Sequence, residues 1–226
     1  MPNITCENTL LQGTLFYDQT PLLSYQINYP QFSDQEDPER LKPINDYYSD
    51  KALALENYCK TLLMNQAIEQ YKHSLKQDTP MDPYELVQKY KITVLTDDLL
   101  SLYYDQYVYT GGAHGNTERY SNTWDLSLPS ILRLRNFFPL DTDYVDGITA
   151  AIIRAVSKQM ALPEDERTCL YFDDYQKKIQ SSFNENNFYL TPDGVVVYFQ
   201  QYDIAPYYCG IPQFLIPYIK DCKENV

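Results

Sequence analysis

The chain has 226 residues and a mass of 26.5 kDa, enough for one substantial core or two small lobes that share one. Hydrophobic residues make up 44% and charged residues 22%, which is ordinary for a globular protein and argues against disorder. A net charge of −13 argues against nucleic acid and anionic lipid as partners and favours cationic ones.

Residues 1–30 have no basic start and no unbroken apolar segment, so no signal peptide is read there. No run approaches the ~20 apolar residues of a membrane span. The pattern fits a cytosolic protein or the soluble part of a larger one. Leu23, Tyr25, Ile27 and Tyr29 alternate with polar residues, which predicts a half-buried strand closed by Pro30. An acidic loop, SDQEDPERLKP, leads into the longest helical pattern, over residues 45–78. Asn45 or Ser49 is its expected N-cap, and Leu55, Tyr58, Leu62, Ile68, Tyr71 and Leu75 form the apolar stripe. Lys72, His73 and Lys76 fall in its last turns, where cations suit the helix dipole and His73 is expected in solvent. TPMDP, at 79–83, ends the helix.

Two strand-like runs around Thr96-Asp97-Asp98 predict a β-hairpin. YTGGAHG follows at 109–115, then a strand in NTERYSNTWDLSL with Trp124 near its end. Residues 141–160 read as an amphipathic helix, capped by Asp141 or Asp143, with Val145, Ile148, Ile152 and Val156 inward. A short helix is expected around YFDDYQKKIQSSF. Pro192-Asp193-Gly194 is a turn signal between two strands, and the Pro-rich, aromatic end reads as a broken edge strand. Hairpins mixed with separated helices predict an α+β fold: antiparallel sheets with a long helix and a second helix packed on one side.

The familiar catalytic constellations are missing. GGAHGNTER has neither the lysine and hydroxyl of a P-loop nor a dinucleotide fingerprint opening a helix. Two histidines without H-x-x-x-H or C-x-x-C spacing give no metal site, so no metal or other cofactor is expected. There is no G-x-S-x-G for a nucleophile elbow. The pairs Asp97-Asp98 and Asp173-Asp174 read as turn or helix-start residues, although carboxylates from distant positions would suffice for a glycosidase. Five cysteines allow up to two disulfides or none. YTGGAHG therefore reads as backbone geometry: consecutive glycines for positive φ, a third for close approach of chains, and His114 to hold the loop or face a partner. The 23 tyrosines suit sheet faces and wet recognition surfaces alike.

The order YQINYPQF, long helix, LYYDQYVYTGGAHG, WDLS…LRLRNFF and FYLTPDGVVVYFQQYDIAPYYCGIPQFLIPY resembles the extracytoplasmic region of RsiV-type anti-sigma factors. It is similar also to the non-catalytic part of PdaC-like peptidoglycan deacetylases. Its most specific marks are Tyr109–Gly115 and Asp203–Tyr207 followed by Gly210. The resemblance covers residues 14–220 and divides into 14–118 and 119–222, taken as one compact unit. It implies a non-catalytic, extracytoplasmic or cell-envelope module that senses lysozyme or a related muramidase by binding it. The sigma-binding segment, the membrane helix and the deacetylase domain have no counterpart in this sequence, so any membrane link would run through them. Candidate contact residues are Tyr109, Gly111, Gly112, His114, Trp124, Tyr202, Tyr207 and Tyr208, each with a core or sheet-face role as its alternative. Competing functions are a peptidoglycan-binding module holding glycan on tyrosine faces, and a cell-wall hydrolase using paired carboxylates.

Overall fold

Asp18 and Gln19 both adopt left-handed backbone, with φ of 46° and 66°, and so turn two long strands into a hairpin without a glycine. In a computed structural model, which describes residues 3–218, these are β1 (Ile4–Tyr17) and β2 (Thr20–Asp34). With β3 (Tyr84–Leu95), β4 (Leu99–Tyr109), β5 (Asn116–Asp125) and β6 (Ser130–Leu132) they form a six-stranded sheet in chain order. A second sheet holds β7 (Phe188–Thr191), β8 (Gly194–Tyr198) and β9 (Gln213–Pro217), with β9 at its edge. The fold is α+β as expected, with one parallel pair: Leu23–Ile27 of β2 runs alongside Tyr84–Gln88 of β3. The long helix between these strands is a crossover, which returns the chain to the same end of the sheet.

Pro30 does not close its strand. Beyond Ile27 the β3 side of β2 is unpaired, so a residue without an N–H fits there and pairs with Asn8 across β1. The helix starts before the expected cap, with α1 (Lys42–Tyr58) carrying proline in its first turn. Asn45 bonds instead to β2, donating to the Phe32 carbonyl and accepting from its N–H, both at 2.8 Å. A π-turn at Cys59–Leu63 joins α1 to α2 (Met64–Gln77). This wider turn shifts the inward face: Cys59, Leu63, Met64 and Ala67 are buried while Leu62 and Leu75 of the expected stripe are exposed. α2 stops at left-handed Asp78, just before TPMDP, and His73 lies in solvent.

Four layers result. α1 and α2 cover one face of the six-stranded sheet, burying Leu23, Ile27, Leu86, Leu100 and Leu102. The other face of β4 and β5 meets the second sheet, whose far side packs on α3 (Tyr144–Met160) through Ile148, Ile152 and Val156. Asp143 caps α3, accepting from the Asp146 N–H. α4 (Tyr175–Ser182) adds Ile179 to the same core. The residue 118–119 boundary falls inside β5, and the six-stranded sheet continues to Leu132. Cys169 and Cys209 form a disulfide; Cys6 and Cys59 are thiols, and Cys222 lies outside the described residues.

Candidate functional site

Between the sheets lies a polar, aromatic seam. The Arg119 guanidinium donates to both carboxylate oxygens of Asp105, at 2.6 and 2.7 Å, and lies 3.8 Å from the Tyr103 ring centroid. Burial, the largest single influence, would lower the Arg119 pKa, but the hydrogen bonds and charge of Asp105, with Tyr103 and Tyr189, together raise it. Burial pushes the Tyr198 phenol up to about 12. Ser101 accepts from the Leu190 N–H at 2.8 Å and pairs with Thr123 at 2.9 Å. This seam fixes the two sheets relative to each other.

At one end of the seam, β5 has an open edge, since β6 reaches only Thr123–Asp125. Two glutamine side chains after β8 occupy it. The Thr117 N–H donates to Gln201 Oε1 at 2.8 Å, and the Arg119 N–H to Gln200 Oε1 at 2.9 Å. Gln200 Nε2 returns a bond to the Arg119 carbonyl at 2.6 Å. Gln200 thus meets Arg119 as a neighbouring strand would, closing an edge that otherwise invites pairing.

The chain then turns through Tyr202, at φ 68°, and the Gln200 N–H donates to Asp203 Oδ2 at 2.8 Å. Burial raises the Asp203 pKa, partly offset by that bond. A short helical turn at Tyr207–Cys209 ends at Gly210, φ 66°. It is tied down by the Cys169–Cys209 disulfide and by the Leu170 N–H, which donates to the Tyr208 hydroxyl at 3.0 Å.

YTGGAHG meets this turn. Gly111 and Gly112 take φ of 98° and 90°, and the Tyr109 hydroxyl donates to the Gly112 carbonyl at 3.0 Å. A Cβ on Gly115 would lie 2.5 Å from the Tyr107 ring, so the third glycine permits the close approach expected of it. Nδ1 of His114 donates to the Gly115 carbonyl at 2.9 Å, leaving Nε2 as the other ring nitrogen. The exposed His114 ring stacks on Tyr207 at 3.7 Å between centroids and 16° between planes; Tyr202 lies 6.0 Å from Tyr207.

His114, Tyr202 and Tyr207, from distant parts of the chain, therefore come together, with Tyr109, Gly111 and Gly112 supporting the loop and Tyr208 on the adjoining turn. Tyr202 is 49% exposed and Tyr208 63%. Trp124 does not join them. It is 5% exposed, packs between Tyr47 and Tyr48 and donates to the Tyr48 hydroxyl at 2.8 Å, which makes it a core residue rather than a contact residue. Gln200, Gln201, Arg119 and Asp105 carry no local motif. Only the inward register of Arg119 with Ser121 and Thr123, two residues apart along β5, signalled a polar interior. Among the described residues, no group of three or more His, Cys, Asp or Glu side chains is placed to hold a metal ion. No helix among them is long and apolar enough to cross a membrane.

Known proteins resemble the chain in two parts. Residues 17–117 match the family model described as Deacetylase PdaC, and residues 135–219 the one described as Protein of unknown function (DUF3298). The peptidoglycan-N-acetylmuramic acid deacetylase PdaC of Bacillus subtilis (strain 168) is 22% identical over 187 residues. That match takes in 83% of this chain and 36% of the deacetylase, so the chain spans about a third of that relative's length. A crystallised DUF3298 family member from Bacteroides fragilis has a TM-score of 0.70 at 20% identity, covering 96% of this chain and 91% of that one. A DUF3298 protein from Pseudomonas aeruginosa PAO1 has a TM-score of 0.56 at 19% identity, covering 95% and 91%. The fold is that of these DUF3298 structures.

Proposed function

We propose that the chain is a non-catalytic binding module of the cell envelope, with lysozyme or a related muramidase as its ligand and the His114–Tyr207–Tyr202 face as its contact surface. One observation carries this reading. Exposed aromatic rings from two distant segments are held in fixed register by two positive-φ glycines, a left-handed tyrosine, a glutamine clamp and a disulfide. Structure invested in a solvent-facing feature points to recognition, for which rigid aromatic rings suit best. The net charge of −13 favours fast encounter with a basic protein. The disulfide suits an oxidising, extracytoplasmic compartment, and the resemblance to RsiV-type anti-sigma factors supplies lysozyme as the ligand.

Calorimetric titration with hen lysozyme at ~150 mM salt, where attraction beyond ~8 Å is screened, tests this, with cytochrome c as a basic control. Saturable one-to-one heat with lysozyme alone is the expected result. Equal heat with both proteins, or none with either, would overturn it. A second reading, binding of peptidoglycan glycan by the same face, is favoured by the relative's peptidoglycan substrate and by the exposed rings of Tyr202 and Tyr208. It predicts retention on insoluble peptidoglycan at high salt, which a charge-steered protein complex would not survive.

A further inference from the structure

Among the described residues, the strand edges of both sheets are short or blocked, with one exception. In the second sheet the outer strands β7 and β9 have four and five residues, and β9 ends at Pro217 just after Pro212 precedes it. β6 has three residues, and the β5 edge beside it is closed by Gln200 and Gln201. β1 differs. It runs for 14 residues at the end of the six-stranded sheet, and among the described residues no strand pairs with its outer edge.

Proteins ordinarily keep such an edge single with lysine, proline, inward charge or bulges. β1 has no lysine and no proline, and its one charged residue is Glu7, although 22% of the whole chain is charged. Its one irregularity lies between Leu15 and Phe16, beside the hairpin turn, so the rest of the edge is regular. Leu10 is 42% exposed and Phe16 59%. Three threonines and the apolar residues between them favour extended pairing.

The strand that fits this edge is β1 itself, which has the same length, the same freedom from charge and the same open side. We propose that β1 pairs antiparallel with β1 of a second copy about a two-fold axis, joining two six-stranded sheets into one. Opposed residues in an antiparallel ladder share a face of the sheet, so the axis must set one residue opposite itself. Placing it at Leu10, beside the middle of the strand, lets Ile4–Phe16 pair in full. Glu7 then faces Gly13 of the second copy, and the one charge on the strand meets no like charge. Such a contact uses both open edges and closes at two copies.

The contact is about 45 Å long and roughly 10 Å thick. It buries on the order of 900 Å², which puts the dimer among weak, reversible ones with a dissociation constant of ~10–100 µM. Two copies each carrying −13 repel, so salt should tighten the dimer, whereas it loosens a complex with a basic protein. β5, which leads from the His114 face, lies across the sheet from β1. The inference therefore does not rest on what that face binds.

Sedimentation equilibrium of the full chain, from ~1 to ~300 µM and at ~50 and ~500 mM salt, tests it. A monomer–dimer equilibrium that tightens with salt is expected. Leu10→Lys, which sets two cations against each other at the axis, should weaken the dimer at least ~10-fold with unchanged melting. Should that variant fail to fold, Gln12→Lys, at another exposed position of β1, makes the same test. Leu62→Lys, at a leucine 62% exposed on the helical side, should leave the dimer as it is. Hydrogen exchange in β1 should slow as concentration rises. A monomer at every concentration, assembly beyond two copies, loosening by salt, or a dimer indifferent to the β1 substitutions would each overturn the proposal. Failure of lysozyme to bind would leave it standing, so the two readings fail separately.

Discussion

Trp124 and His114 lie at opposite ends of β5, each in a group of three aromatic rings, and the two groups are held in different ways. Around Trp124 the rings of Tyr47 and Tyr48 pack edge-on, at 5.2 and 6.3 Å and interplanar angles of 77° and 67°. The indole N–H is satisfied by Tyr48, whose own pKa burial drives well above the usual phenol value. Such a group is kept in place by removal from water and needs no special backbone. Around His114 the imidazole stacks nearly parallel on half-buried Tyr207, Tyr202 is tilted at 34° to it, and His114 and Tyr202 are exposed, so burial supplies less. Unusual backbone, side-chain clamps and a covalent bond do the holding. The difference separates aromatic residues kept for the core from those kept for display, and it does so without reference to residue type.

Substitutions at the two groups should diverge. Trp124→Ala is expected to cost about 3–5 kcal/mol, the usual range for emptying a large aromatic site, and to lower binding only in proportion to the unfolded fraction. Thermal melting with binding measured at low temperature checks both halves. Replacing Cys169 and Cys209 together with serine should cost about 2–4 kcal/mol through the freed loop, and should also weaken binding at temperatures where the protein remains folded. Denaturant titration beside calorimetry distinguishes these effects. Tyr202→Gly should go the other way, stabilising by about 1 kcal/mol because glycine accepts φ 68° without strain, while losing affinity. His114→Ala is the mildest, within about 0.5 kcal/mol for an exposed side chain, yet it should lower affinity more than Trp124→Ala does in the folded fraction.

The glycines of YTGGAHG were readable because positive φ and close approach are demands that few other residues meet, and local sequence displays them. The α3 cap at Asp143, the β3–β4 hairpin and the Pro192-Asp193 turn were readable for the same reason. β1 was not: ITCENTLLQGTLFY alternates weakly because one of its edges has no neighbour, and its turn at Asp18-Gln19 has no glycine. Of the expected α1–α2 stripe, Leu55, Tyr58, Ile68 and Tyr71 pack on the core, whereas Leu62, inside the π-turn at Cys59–Leu63, and Leu75 are exposed. Ring partners such as His114 with Tyr207, and the Gln200–Arg119 clamp, join residues far apart in the chain. Nothing local encodes them.

The central claim is that the His114 face is the contact surface. Hydrogen exchange of the protein, free and saturated with lysozyme, measures this directly. Protection confined to residues 110–115 and 202–208, with the amides around Trp124 unchanged, is the result predicted. A bound complex that leaves both segments exchanging as in the free protein would contradict it.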